Sequence, residues 1–216
     1  MTNANAVAAT GPGRRFPRLA RALEILRCEG PRSLWFRGLG KTVYRRVVVM
    51  ELPLDQPIVR TSALTNVVVE RLTPAGVDEY VTLRPDADPG ETRRRIAAGH
   101  QCFIARHEGR IVHACWAATG RVWVDYLRRD LVLPTGAVYH YDSFTAPAFR
   151  GQNISALRVT EAARHFHASG HDRVIAIVVP ENRTAFRPLE KAGYRRVGMM
   201  GYVGLGRWRR HFDYKL

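Results

Sequence analysis

Apolar positions along the chain change period several times, and each change marks an element. Leu19, Leu23 and Leu26 in "RRFPRLARALEILRCEG" sit at helical spacing with arginines on the opposite face, and Gly30-Pro31 stops the run. "SLWFRGLGKTVYRRVVVMEL" predicts a second helix running into a strand, after which Pro53 and Pro57 mark a linker. From Asn66 the pattern is denser. "NVVVERL" predicts a strand, Thr73 before Pro74 predicts a helix N-cap and first turn, and "DPGETRRRIAAG" predicts another helix. "QCFIARHEGRIVHACWAA" predicts a hairpin turning at Glu108-Gly109. Counting outward from His107 and Arg110 sets Cys102 opposite Cys115, as two reduced, small core residues.

"GRVWVDYL" and "GAVYHYDSFTA" predict two more strands, separated by the turn-rich "RRDLVLPTG". "ISALRVTEAARHFHASG" then reads as a helix ended by Gly170, and "DRVIAIVVP" as a strand buried on both faces. "ENRTAFRPLEKAG" is a short helix opened by Asn182 and closed by Gly193, with Pro188 able to kink it, and "YRRVGMMGYVGLGRW" returns as strand. This order predicts an α/β fold, a mixed sheet with helices on both faces.

The turn before the long helix, "PAFRGQNIS", joins a strand to a helix N-terminus. Free N–H groups and the helix dipole favour an anion there. Arg150 adds charge, and Gly151 allows close approach of the backbone. Asn153 stands where such turns carry a second glycine; Asn is among the best non-glycine residues at positive φ, so the turn can keep its shape.

The turn and "NRTAFRPLEKAGY" about 30 residues later together resemble the GNAT superfamily of N-acetyltransferases. Their loop follows Q/R-x-x-G-x-G/A. Arg150 matches its opening, Gly151 and Gln152 its variable positions, Asn153 its glycine and Ser155 its final small residue. Asn182, Ala185, Lys191, Gly193 and Tyr194 match the second segment. The resemblance covers roughly residues 66 to 207. It implies a mostly antiparallel central sheet flanked by helices, behind an N-terminal helical extension. It also implies acetyl-CoA, or another acyl-CoA, as cofactor. Phe144, Thr145, Arg150, Gly151, Gln152, Asn153, Ile154, Ser155, Asn182 and Lys191 are the implied cofactor-binding residues. The implied reaction is direct attack of an amine on the thioester, with strands splayed to expose backbone to the pantetheine.

That chemistry needs a base. Strict alternation along "VYHYDSFT" puts His140, Asp142 and Phe144 on one face and Tyr139, Tyr141 and Ser143 on the other. His140 beside Asp142 is the candidate base, and Asp142 is alternatively a site for a cationic amine. Leu189 occupies the position of the family's thiolate-protonating tyrosine, so Tyr194 and Tyr202, with Tyr141, are candidate substitutes. His165, His167 and His171 lack metal-ligand spacing, and no metal is expected. Trp116 and Trp123 are expected in the core or along the acceptor groove.

Composition adds a polarity to this picture. Apolar residues make up 46% of 216, enough for a sizeable core, and the net charge is +15 from 34 Lys+Arg against 19 Asp+Glu. Such a surface favours anionic ligands. Residues 1–60 carry eleven Lys/Arg against four Asp/Glu and are read as a basic helical extension, its first 13 residues disordered; residues 61–216 are read as the transferase domain. The helices at 14–46 can pack on the domain, form a homodimer or lie on an anionic membrane. No nucleic-acid recognition motif accompanies the charge. Three widely spaced cysteines, no signal peptide and no membrane-length apolar window point to the cytoplasm, with peripheral membrane contact open. The expected function is N-acetyl transfer from acetyl-CoA to a primary amine of a small molecule: an amino sugar, amino acid or polyamine. The alternatives are a longer acyl group, a non-catalytic acyl-CoA sensor, and a basic adaptor on membrane or nucleic acid.

Overall fold

The computed structural model describes residues 44–58, 61–205 and 208–215. Ten strands and four α-helices lie within them: β1 (Tyr44–Pro53), β2 (Val68–Arg71), α1 (Val77–Leu83), α2 (Pro89–Ala97), β3 (Gln101–His107), β4 (Arg110–Ala118), β5 (Arg121–Val124), β6 (Arg129–Val132), β7 (Ala137–Thr145), α3 (Ile154–Ala168), β8 (Arg173–Val178), α4 (Arg183–Lys191), β9 (Arg195–Leu205) and β10 (Trp208–Lys215). Eight strands form one sheet in the order β10-β9-β1-β8-β7-β4-β3-β2, and β5 pairs with β6 in a separate hairpin. Every pairing is antiparallel except β7 with β8.

Alternation along the strands sorts the core onto two faces. Val138, Val174, Ala176 and Val178 point to α3 and α4, where they meet Val159, Phe166, Phe186 and Leu189. Tyr139 and Ile175 point the other way, to Val122, Val124 and Leu131 of the β5–β6 hairpin. On that same face Trp116, Ile104 and Tyr141 pack with Tyr80 of α1 and Ile96 of α2. Helices therefore cover both faces, as the element order implies. Local signals act as expected at several starts and turns. Asp88 caps α2 by accepting from the Glu91 amide at 2.6 Å. Glu108 and Gly109 both adopt positive φ (48° and 78°), the geometry of a tight two-residue hairpin turn.

Three expectations are corrected. The first is the domain boundary: Tyr44–Pro53, assigned to the extension, is an internal strand with β9 on one side and β8 on the other. The predicted extension thus ends before this strand, and its helices through residue 43 lie outside the described residues. The second is the cysteine register. A bulge between Ala105 and Arg106 shifts the ladder by one, so Cys102 faces Trp116 and Phe103 faces Cys115. Both thiols are free and buried. The third is "RRDLVLPTG", which holds strand β6.

Met50 of β1 is fully buried at the centre of the α3–α4 side of the core. Met50→Ala is expected to lower unfolding free energy by about 2–5 kcal/mol in urea denaturation. A chain starting at residue 61 lacks β1 and is expected to lose the cooperative unfolding transition. A cooperative transition in that truncation would contradict the role of β1.

Candidate active site

Parallel pairing of β7 with β8 runs from Ala137↔Arg173 to His140↔Ala176 and stops. Beyond it, β7 continues on β4 alone, through a bulge that sets Asp142 and Ser143 between the pairs Trp116↔Tyr141 and Ala114↔Phe144. Asp142 takes φ +50° there, a left-handed value that Asp tolerates better than most residues. The two strands thus part on an edge lined by residues 141–145.

At the end of β7, a short 3-10 turn (Pro147–Phe149) leads into the loop before α3. Gly151 (φ 80°) and Asn153 (φ 60°, ψ 11°) both adopt left-handed backbone, the conformation expected of Asn153. No carbonyl or side chain among the described residues accepts from the amides of residues 151–156; Leu157 is the next donor, to Asn153 O at 3.0 Å. Six consecutive N–H groups thus remain at the N-terminus of a 15-residue helix. The loop is pinned from outside, because Leu64 N donates to Gln152 O at 2.9 Å. It is also pinned from within, by Gln152 Nε2 on Ala148 O and Arg150 Nε on Thr145 O, each at 3.3 Å. Arg150 is otherwise exposed. Ile154 sends its side chain into the core beside Ala105 and Val112, so only its amide faces the loop.

The face covered by α3 holds a buried polar chain. Arg158, 2% exposed, donates from Nε to His113 Nε2 (3.4 Å) and from Nη1 to His140 Nδ1 (3.1 Å). Tyr194 Oη lies 3.1 Å from the same His140 nitrogen, and His113 Nδ1 lies 2.8 Å from Thr145 Oγ1. These contacts set both tautomers: His113 carries its proton on Nδ1 and donates to Thr145, and His140 carries its proton on Nε2, which is buried without a partner. Burial first, then the Arg158 charge, holds both imidazoles well below their usual range. Among the described residues no carboxylate lies within ion-pair distance of Arg158.

The opposite face holds a different cluster. Asp142 accepts from Arg84 Nη1 at 2.8 Å and Arg95 Nη1 at 3.0 Å, one carboxylate oxygen to each. Arg84 also forks onto Asp86 and stacks over Phe144. Arg95 lies against the rings of Trp116 and Tyr141. Tyr141 Oη is 2.5 Å from His100 Nδ1, on the connection between α2 and β3. Burial, then the Arg95 charge, lowers the His100 imidazole below its usual range. Burial raises the Tyr141 phenol, with Arg95 opposing.

The expected pairing of His140 with Asp142 is therefore not made. The bulge adds a residue, so Asp142 joins Tyr141 on the α1–α2 face while His140 stays beneath α3. His140, 5% exposed, is a framework group. Tyr194, 3% exposed, is bonded to it inside the core, and burial raises its phenol. Tyr202 is elsewhere: it sits on β9, separated from β8 by β1, against His211 and Arg209. Asn182 and Lys191 stand at opposite ends of α4, about 13 Å apart along the axis, and are not brought together. Asn182 Oδ1 accepts from Thr184 Oγ1, and Lys191 is exposed. Leu189 is buried in the core. Trp116 is buried, and Trp123 is 57% exposed. No cluster of three or more metal-ligating side chains occurs among the described residues. None of their helices is long and apolar enough to cross a membrane.

No family model matches the chain, and no curated protein does. Solved structures do match. A GNAT-family protein from Novosphingobium aromaticivorans superposes with a TM-score of 0.52 at 18% identity, over 72% of this chain and 62% of its own. A GNAT-family acetyltransferase from Colwellia psychrerythraea gives 0.53 at 13% identity, over 85% and 62%. A GCN5-related N-acetyltransferase from Kribbella flavida gives 0.50 at 12%, over 78% and 60%. The fold is that of the GNAT acetyltransferases. The chain spans about three fifths of the length of each of these three proteins. Within the GNAT fold, the parting of β7 from β8 and the loop before α3 stand next to each other along one stretch of chain, residues 141–156.

Two outcomes test this geometry. Asn153→Val is expected to destabilise the protein by about 1–2 kcal/mol, since a β-branched residue resists left-handed backbone, whereas Asn153→Gly stays within about 0.5 kcal/mol. The buried imidazoles set a pH dependence. Both stay neutral in the folded state, while the unfolded chain binds protons below about pH 6.5. Their contribution is complete above that pH and is lost as pH falls below it, by up to about 1.4 kcal/mol per pH unit for each histidine. Urea titrations at about pH 7.5 and 5.5 measure it; equal stability at both would show the imidazoles to be accessible.

Proposed function

We propose that the protein transfers an acyl group from an acyl-CoA, acetyl-CoA in the simplest case, to the amine of a small molecule. The observation that carries this reading is the run of six unbonded amides at residues 151–156, kinked by two left-handed residues beside an exposed arginine. A diphosphate fits that set: it is an anion with many acceptor oxygens, and it meets N–H groups, a helix dipole and a guanidinium together. Gly151 N through Ala156 N would hold it, with Arg150 alongside. The edge of β7 beyond His140 leaves backbone for the amide groups of a pantetheine arm.

When bound, the acyl-CoA would supply the thioester carbonyl that an amine attacks, the C–N bond forming as the C–S bond breaks and CoA leaves as its thiolate. The residues of the chain handle the proton. Tyr141 follows immediately after the last β7–β8 pair, and its hydroxyl oxygen lies 2.5 Å from His100 Nδ1. Tyr141 Oη can take a proton from the amine while passing its own to the imidazole, which its surroundings keep neutral near pH 7. Asp142 orients the two arginines, because both its oxygens already accept from them.

A non-catalytic acyl-CoA sensor is favoured by one observation: Leu189, in the position of the family's phenol, is buried in the core. Thiol release from acetyl-CoA over a panel of amines decides between the two. Release supports the transferase; a thermal shift by acetyl-CoA without release supports the sensor; no shift at saturation excludes both. Acetyl-CoA at a hundred times its Kd is expected to stabilise by about 2.7 kcal/mol. Arg150→Ala is expected to weaken CoA binding by about five- to tenfold. Tyr141→Phe is expected to lower kcat by about a hundredfold or more with CoA affinity retained.

A further inference from the structure

The charges around Tyr141 distinguish among the acceptors this reading leaves open. The carboxylates that meet Arg84 and Arg95 all hold guanidiniums. Asp142 holds Arg84 and Arg95, Asp86 holds Arg84, and Glu91 holds Arg94 and approaches Arg95. A polycationic acceptor would have to break one of these pairs to find a counter-charge.

An anion meets the opposite situation. The Arg95 guanidinium is fixed between two contacts with aromatic rings, 5.4 Å from Trp116 and 5.6 Å from Tyr141, with Nη1 on Asp142. No protein acceptor among the described residues takes its Nη2 protons. The side chain is 30% exposed, so this edge is reachable. A pre-oriented guanidinium with Nη2 left over can donate to a carboxylate oxygen. It stands against the same Tyr141 whose hydroxyl is directed to His100. Behind it Arg84, 15% exposed and held by Asp86, shares the Asp142 carboxylate with Arg95.

We propose that Arg95, supported by Arg84, receives a carboxylate carried by the acceptor, so that the substrate is an amino acid-like zwitterion and not a polyamine or a neutral amino sugar. The carboxylate lies on Arg95 and places the amine at Tyr141 Oη. This assignment rests on the acyl-transfer reading and narrows it. Arg95 acts as a specificity-determining residue, and the +15 net charge of the chain favours the same class of ligand at long range.

The test uses the full-length protein, acetyl-CoA, the twenty common amino acids each beside its α-amide, spermidine and glucosamine. Thiol release is read as kcat/KM. At least one acid is expected to exceed its own amide by about tenfold or more, and to exceed spermidine and glucosamine. Arg95→Met is expected to bring the acid-to-amide ratio close to one, and Arg95→Lys, which keeps the charge and loses the fork, to give an intermediate ratio. A preference for the amide, the polyamine or the sugar overturns the assignment, as does an acid preference that survives both substitutions. A second readout, the thermal shift caused by each compound on CoA-saturated protein, is run in parallel. If no compound releases thiol and no acid shifts the midpoint more than its amide, the assignment also fails. Acetyl-CoA binding, measured on the same preparation, keeps this failure separate: loss of that binding would sink the acyl-transfer reading itself.

Discussion

Parallel pairing between β7 and β8 lasts four residues, and the arrangement of the site follows from where it stops. Below the stopping point, Val138 and Val174 seal the core beneath α3. Above it, no described strand pairs with that edge of β7. The bulge at Asp142–Ser143 turns that free edge to use. An extra residue there lets Tyr141 and Asp142 both face α1 and α2, so that a hydroxyl and a carboxylate adjacent in sequence serve the same side of the sheet. A regular strand would send one of them under α3. The left-handed backbone at Asp142 is tolerated because two arginines from separate elements hold its carboxylate.

The two faces of the sheet solve the problem of buried polarity differently. On the α1–α2 face, charges are paired and partly hydrated, and aromatic rings hold the guanidiniums flat. On the α3 face, Arg158 is enclosed with two neutral imidazoles and a phenol. Removing a guanidinium from water is expensive, and neutral acceptors offset only part of the expense. The imidazoles cannot share the charge, because a second cation at that depth would raise the cost further. Burial, with the Arg158 charge adding to it, therefore keeps His113 and His140 deprotonated, and their contacts tie Thr145 on β7 to Tyr194 just before β9. This chain is a brace running under the point where the sheet opens.

Much of this was legible in the residues, and what was not has a common cause. The loop before α3, the left-handed Asn153, the helices on both faces and the hairpin at Glu108-Gly109 all follow from local preferences. Local preferences survive folding when nothing distant opposes them. Strict alternation puts His140 and Asp142 on one face, and symmetric counting from the turn sets Cys102 opposite Cys115; in both cases a bulge inserts one residue. Bulges answer to packing across the sheet, which no short window of sequence contains. His100 carries no signal in the sequence because it lies on a connection, outside any period; only the fold brings it to Tyr141. Nothing in an amphipathic pattern marks Arg158 for burial, since an arginine on a helix ordinarily faces water. The prolines after β1 read as a linker and set it in the extension, although its own apolar run, Val47 to Met50, is as dense as that of β8.

The position of β1 also governs how the chain can assemble. Its neighbours in the sheet are β8 and β9, and Val48 lies opposite both Val178 and Met199. An early-synthesised segment must wait for two of the last ones before its hydrogen bonds can close. Contacts across so long a stretch form slowly, because loop closure costs entropy before any pairing rewards it. During translation, the apolar run of β1 emerges well before β8 and β9, the strands it pairs with. The same insertion that makes the finished sheet continuous leaves β1 waiting for strands more than a hundred residues away.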